Sequence, residues 1–302
     1  MTVAEDMLLI VNPCANRGRS RSSADNYEVC LRRKAVSYRR VSSRSAEHVE
    51  EEARKAAAEG FRVVGVCGGD GTMQAAANAL AGSESAMGIL AGGRGNDFGR
   101  ALGIPRDPER AVDVLLAGIP KRIDLGKIGE RYFCTVATLG IDSQVAADVL
   151  KAGRIMPRKL TYVASLLRRL LRHEFPVVTL EGDFGRITTP VLLAATGNTH
   201  SYGAGMMVVP PARPDDGRFH VCLIERISRV KLVTLLPSVY RGKHVRYPEV
   251  RILETEVLRL STDTPQEIFA DGEPIARTPA EIRVVPGVLQ VMVPQQADAR
   301  SR

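Results

Sequence analysis

Four carboxylates in this chain stand where phosphate chemistry could use them. Asp70 lies in Cys67-Gly-Gly-Asp-Gly-Thr72, Asp97 in Ala91-Gly-Gly-Arg-Gly-Asn-Asp-Phe98, and Asp271 and Glu273 flank Gly272. Beside phosphate a bare carboxylate repels, so such residues act through a divalent cation, through water, or by fixing a hydrogen-bond network. Glycines let the backbone approach a phosphate closely, and N–H groups at a helix start face its charge. A third segment, Val11-Asn-Pro-Cys-Ala-Asn-Arg-Gly-Arg-Ser20, offers glycine and polar residues in the same way. None of the three is a G-x-x-x-x-G-K-[ST] or G-x-G-x-x-G loop. Each alone reads equally well as a tight turn. Asp271 and Glu273 suit a second task, because a carboxylate in reach of an alcohol can take its proton as a phosphoryl group arrives. The same Asp-Gly pair also makes an ordinary hairpin turn.

The elements around these loops decide whether they meet. Apolar runs at 7–11, 62–67 and 86–90 read as buried strands, and 46–59, 73–81 and 108–117 as helices. Strand–helix alternation at this spacing predicts a parallel sheet with helices on both faces, and each glycine loop follows a strand, where such sheets bind ligands. From about Arg122 the pattern changes. Runs at 132–136, 177–180, 189–195, 219–224, 257–260, 282–285 and 289–293 read as strands separated by Gly, Pro and Asp turns, with helical patterns only near 145–173 and 228–240. This predicts an antiparallel sandwich or barrel. The expected division is an α/β domain over 1–126, a β-rich sandwich over 127–294 and a tail over 295–302.

Asn12-Pro13 with the Gly18 turn, Gly68-Gly-Asp-Gly-Thr72, Gly93-Arg-Gly-Asn-Asp-Phe98, Ile123-Asp-Leu-Gly126, Asp215-Asp-Gly217 and Asp271-Gly-Glu273 occur in this order. The series resembles the bacterial diacylglycerol kinase family, kin of sphingosine and ceramide kinases and more distantly of NAD kinases. Gly-Gly-Asp-Gly-Thr is shared with NAD kinases, whereas Gly-Asn-Asp-Phe with a distant Asp-Gly-Glu is more restrictive. The resemblance implies an ATP- and Mg²⁺-dependent lipid kinase that phosphorylates diacylglycerol or a similar lipid, giving a phospholipid such as phosphatidic acid. It implies an NAD kinase-like ATP-binding α/β domain, a β-sandwich for the lipid and an active cleft between them. Asn12 and Pro13 would border the nucleotide and Ser42 its base or ribose, though a lone serine is also an ordinary turn residue. Gly68, Gly69, Asp70, Gly71, Thr72, Met73 and Gln74 would hold phosphates and ribose, with Arg94 and Asn96 nearby. Asp70, Asp97 and Asp124 would organise a magnesium-linked network, though Asp124 reads equally well as a domain-boundary residue hydrogen-bonded to backbone, and Asp271 and Glu273 would face the lipid hydroxyl, either one as base. Asp216, with the backbone carbonyls of Arg213 and Arg218, would hold a structural Mg²⁺, the other reading of this loop being a plain Pro/Asp/Gly turn. The chain departs from the family at Arg94 and Ala91, where Thr and Pro are usual, and at Gln74-Ala75 in place of Asn-Glu. Two other readings stay open: an NAD kinase, and a nucleotide- or lipid-binding protein without turnover.

Composition bounds these readings. A chain of 302 residues favours two domains, and no apolar run approaches the roughly 18–20 residues of a membrane span. Five dispersed cysteines without a C-x-x-C pair fit reduced thiols rather than a disulfide framework or zinc site. The absence of Trp and only 5% aromatics leave stacking platforms for nucleic acid poorly supplied, so no nucleic-acid partner is expected. The residues before the first apolar run lack a basic leader pattern. The net charge of +8 suits phosphate or an anionic membrane surface as well as a plain solvated face. The stretch 157–173 sets leucines on one helical face and Arg158, Lys159, Arg168, Arg169 and Arg172 elsewhere. It reads as a core-packed helix or as one lying on anionic lipid. The expected location is cytoplasmic, peripheral to the inner face of the membrane, with a homodimer left open. The histidines show no metal-ligand spacing.

Overall fold

The computed structural model describes residues 7–14, 19–93, 95–141, 175–203 and 205–295. Arg94, Gly18, the basic stretch 157–173 and the residues after Gln295 lie outside the described residues. The chain forms two compact units, one reaching to Leu125 and resuming at Pro286, the other Gly126–Val285.

In the first unit four strands, β1 (Met7–Val11), β2 (Arg39–Ser42), β3 (Val63–Gly68) and β4 (Ala86–Ala91), run parallel in the order β4-β3-β1-β2. β1 is buried along its whole length, as its unbroken apolar run demands of a strand covered on both faces. The helices are α1 (Arg19–Arg33), α2 (Ala46–Ala58), α3 (Asp70–Leu80), α4 (Asp97–Ala101) and α5 (Pro108–Ala117). Ser45 caps α2 by accepting from the His48 N–H, and Asp107 caps α5 by accepting from Arg110, with Pro108 in the first turn. One face of the sheet meets α1 and α5, where Tyr27, Leu31, Val112 and Leu115 pack with Leu9, Val11 and Leu90. Leu8, Ile10, Val64 and Val66 are equally buried, on the face that α2 and α3 cover. Sequence periodicity starts α3 at Met73; the structure starts it at Asp70, because the glycines preceding Met73 blur the apolar pattern but not the backbone turn.

Among the described residues of the second unit, neighbouring strands pair antiparallel. β5 (Ile119–Ile128) leads into it, followed by β6 (Arg131–Phe133), β7 (Val136–Gly140), β8 (Val177–Gly182), β9 (Gly185–Gly197), β10 (Phe219–Glu225), α6 (Arg229–Val239), β11 (Val250–Thr255), β12 (Val257–Thr262), β13 (Glu267–Ala270), β14 (Glu273–Arg277) and β15 (Ala280–Val293). Alternate residues of the β7–β9–β10 layer face two different cores. Ala137, Leu139, Ala194 and Leu223 pack with Leu258, Leu260 and Ile282 of the opposing strands. Val136, Ala195, Cys222 and Ile224 pack with Leu232 and Leu235 of α6.

Three sequence expectations need correction. The run 132–136 is not one strand: β6 stops at Phe133 because Cys134 and Thr135 give their amides to a carboxylate instead of a neighbouring strand. The runs 282–285 and 289–293 are one strand, β15, bent at Gly287 (φ 57°). Residues from Pro286 onward, assigned above to the sandwich, belong to the first unit, where Val291 pairs in parallel with Met87 of β4. That pairing joins residues about 200 apart in sequence, which no local pattern announces.

Candidate active site

The strand order reverses between β1 and β3: the chain leaves β1 for β2 on one side and proceeds through β3 to β4 on the other. The crevice beyond the carboxyl ends of two such strands is where open α/β sheets take ligands. The loops after β1, β3 and β4 all open there and are tied to one another. Asn12 donates from Nδ2 to Thr72 Oγ1 at 2.9 Å, and its own N–H donates to the Cys67 carbonyl. The Gly92 N–H donates to the Gly68 carbonyl at 2.8 Å, so the loops after β3 and β4 meet backbone to backbone. A Cβ on Gly93 would stand 2.7 Å from the Gly69 Cα, so this close approach requires glycine at 93.

Asp70 closes the arrangement. Its Oδ1 accepts the Asp97 N–H at 2.7 Å and its Oδ2 the Asn96 N–H at 2.9 Å, so it caps α4 from another loop. A Cβ on Gly95 would approach Asp70 Oδ2 to 2.5 Å. Burial, and then the nearby Asp97 charge, push the Asp70 carboxyl above its ordinary value, while the amides of Asp97, Asn96 and Phe98 pull it back. Asp97 is buried and accepts from Arg100 Nη1 at 2.6 Å, and Arg100 and Arg106 both donate to the Gly95 carbonyl. Asn96, left-handed at φ 49°, accepts from the Gly93 N–H and donates to the Gly93 carbonyl, which rings off the loop. At the start of α3 the amides of Thr72 and Met73 already donate to the Gly69 carbonyl, leaving those of Asp70 and Gly71 without an intrahelical acceptor. A cavity of about 300 Å³ lined by Ile89, Ala91, Asn96, Gly99, Arg100 and Ile104 opens beside this loop.

The other expected nucleotide residues have these places. The Met73 side chain is 2% exposed, and Gln74 is buried too, so α3 turns both inward. Pro13 follows Asn12 in the turn after β1. The Ser42 hydroxyl is exposed at the end of edge strand β2 and accepts from Arg40 Nη1. Asp124, buried in β5, accepts the Gly287 N–H at 2.8 Å through Oδ1 and so anchors the returning strand β15 to the first unit.

In the second unit, Asp271 occupies the left-handed region (φ 52°) in the turn between β13 and β14. Its Oδ2 accepts the Cys134 N–H at 2.7 Å; its Oδ1 accepts the Thr135 N–H at 2.8 Å and the Thr135 hydroxyl. Glu273, two residues on, opens edge strand β14 and is exposed, with no hydrogen bond or ion pair to its side chain among the described residues. One carboxylate of the pair is saturated and the other is open.

The loop before β10 places Asp216 at the surface, its Oδ1 accepting from the Arg218 N–H at 3.2 Å. The Arg213 guanidinium goes to Asp215 at 3.2 Å and that of Arg218 to Glu254 at 3.7 Å. Both cationic heads are thus drawn to other carboxylates. This fits a donor set of one carboxylate and two backbone carbonyls, the oxygen ligands a hard divalent cation takes.

Residues 6–128 match the family model of the diacylglycerol kinase catalytic domain, and 135–293 that of the YegS C-terminal NAD kinase beta sandwich-like domain. A diacylglycerol kinase of Mycobacterium tuberculosis is 33% identical over 294 residues, covering 95% of this chain and 94% of its own. The chain belongs to the diacylglycerol kinase family. Another diacylglycerol kinase, from Staphylococcus saprophyticus, is 25% identical over 95% of this chain and 94% of its own. A crystal structure of a diacylglycerol kinase from Bacillus anthracis shares the fold with a TM-score of 0.74 at 20% identity, over 96% of this chain and 97% of that one. The chain is accordingly a kinase, a phosphotransferase with an alcohol group as acceptor. Within this diacylglycerol kinase family member, sequence reasoning missed Arg100 and Arg106, which brace the loop of Asp97, and Thr135, which holds Asp271. The first two lie three and nine residues past Asp97 and could have been found as basic residues near an acidic motif. Thr135 carries no sequence signal at all.

Proposed function

We propose that the protein is an ATP- and Mg²⁺-dependent lipid kinase acting on a hydroxyl of diacylglycerol or a similar lipid, with phosphatidic acid or its counterpart as product. The observation that carries this reading is the Asp70 clamp, which fixes two glycine loops against each other at the reversal point of a parallel sheet. The amides of Asp70 and Gly71 at the start of α3 then face the nucleotide phosphates, with Asn12 bordering them. Both Asp70 oxygens are taken by amides, which suits an indirect, water-linked role towards the cation rather than a bare ligand bond. Mg²⁺ would supply charge neutralisation at the phosphates, in the network of Asp97, and a second ion would be held by Asp216 with the carbonyls of Arg213 and Arg218.

Glu273, open to solvent, is the carboxylate that takes the proton of the lipid hydroxyl. The hydroxyl oxygen bonds to the γ-phosphorus, the bond from that phosphorus to the bridging oxygen breaks, and ADP leaves. Asp271 holds the turn that carries Glu273. The lipid substrate calls for approach to a membrane surface, and among the described residues no helix is long and apolar enough to cross one. We take the association to be peripheral and, with all five cysteines present as thiols rather than disulfides, the compartment to be cytoplasmic. The test is a phosphorylation assay on a panel of lipid alcohols with ATP and Mg²⁺, products identified by mass spectrometry, and NAD offered as a competing acceptor. Transfer to a lipid is expected; transfer to NAD alone, or to no acceptor by folded protein, would sink the reading.

A further inference from the structure

The peptide between β6 and β7 belongs to no strand, yet both sides of its backbone are engaged. On the amide side, Cys134 and Thr135 donate to the two oxygens of Asp271, joined by the Thr135 hydroxyl. On the carbonyl side, Asn198 Nδ2 donates to the Cys134 carbonyl at 2.9 Å, and the N–H groups of Asn198 and Thr199 donate to the Thr135 carbonyl at 2.8 and 3.1 Å. Asn198 follows the last residue of β9 and is 0% exposed, and Thr135 is 3% exposed, so water does not substitute for these bonds. The Asp271 N–H closes the circuit on the Val136 carbonyl. A peptide gripped on both sides cannot rotate, so the carboxylate it holds is fixed in turn. That carboxylate belongs to a left-handed residue at the head of the turn, and Glu273 follows two residues later.

We propose that Thr135, braced by Asn198, is a positioning residue for phosphoryl transfer: its hydroxyl and amide set Asp271, and through Asp271 the turn that presents Glu273. The inference rests on the reading of 271–273 as the hydroxyl-facing turn. It assigns no proton transfer to Thr135, whose hydroxyl proton is already committed to Asp271.

The experiment uses the full chain with diacylglycerol in detergent micelles as acceptor, and compares Thr135→Val, which keeps shape but loses the donor, with Thr135→Ser, which keeps it. Thr135→Val is expected to lower kcat by about 10–10²-fold, the scale of a small misplacement, with KM for ATP unchanged. Thr135→Ser is expected to recover most of that loss. Hydrogen exchange of residues 268–275 should quicken in the Val variant and not in the Ser variant. A Val variant with parental kcat and parental exchange overturns the proposal, as does a Ser variant that melts like the parent yet is as slow as Val. In a Glu273→Gln background, Thr135→Val should add little further loss, because both act through one turn; a full multiplicative loss overturns it. If Glu273→Gln itself keeps full kcat, the base reading fails, and quickened or unchanged exchange in the turn then decides the Thr135 proposal alone. Should Thr135→Val not fold, Thr135→Ala takes its place in every comparison.

Discussion

Asp70 and Asp271 perform the same mechanical task in different surroundings. Each is a carboxylate whose two oxygens are held by consecutive backbone amides of a neighbouring loop: Asn96 and Asp97 in the first unit, Cys134 and Thr135 in the second. Asp70 grips the start of a helix, spans 26 and 27 residues of sequence, and carries a second carboxylate, Asp97, beside it. Asp271 grips an irregular peptide across 136 and 137 residues and has an open carboxylate, Glu273, two positions away. On the proposed reading, the difference separates an acid that fastens from an acid that reacts. An acid with every oxygen engaged fixes geometry; a neighbour left open can exchange a proton with substrate.

The sharpest break of this comparison is Glu273→Gln against Asp271→Asn. A general base contributes about 10²–10⁴-fold, so Glu273→Gln should lower kcat within that range. Its melting temperature should hold, because the side chain is exposed and unpaired among the described residues. Asp271→Asn turns an NH₂ towards an amide donor and should cost about 1–3 kcal/mol of stability as well as rate. Calorimetry beside steady-state kinetics separates the two, and a benign Glu273→Gln with a stable but inactive Asp271→Asn would exchange their roles.

Asp70→Ala comes next. It strips the acceptor from two amides at the start of α4, so turnover should vanish and stability fall by about 1–3 kcal/mol. Parental melting in this variant would mean that the clamp is not holding the loops.

How much of this was legible in the residues follows the same divide. The parallel sheet, its three glycine loops and the helix Pro108–Ala117 are written locally, in unbroken apolar runs and a Pro after a capping Asp. Asp70 and Asp97 are therefore found from sequence as a pair. Asp124 is legible as a boundary residue bonded to backbone, but not its partner, since a buried Asp in a strand names none and its bond to Gly287 reaches 163 residues ahead. Met73 lies within a phosphate-loop motif yet faces the core, because α3 begins at Asp70 and the helical turn carries Met73 inward. In the sandwich, the strand at 132–136 misled because Cys134 and Thr135 have strand-like side chains while their amides serve Asp271.

A smaller effect is expected at the surface loop. Mg²⁺ should raise the melting temperature of the parent, by an amount set by its concentration over its dissociation constant, and Asp216→Ala should erase that gain. Equal Mg²⁺ dependence in both proteins would reduce the loop to an Asx turn.

The smallest is a slope. Because burial raises the Asp70 carboxyl above 3.8, the native state keeps a proton there that the unfolded chain has released. Stability from this group is greatest in acid and declines as pH rises from about that value through the raised native one. Asp70→Asn should flatten that stretch of the melting-temperature curve, and an unaltered slope would assign it to other groups.

The return of β15 to the first unit has a consequence for how the protein is made. The ribosome delivers β1 to β4 early, but the segment that pairs with β4 emerges only after all of the residues 126–285 have been synthesised. Until then the outer edge of β4 lacks its partner strand, and the Gly287 N–H has not yet reached Asp124. A nascent chain stalled before Pro286 therefore exposes an unfinished sheet edge to any chaperone present, and the first unit reaches its final form after the second has had time to fold.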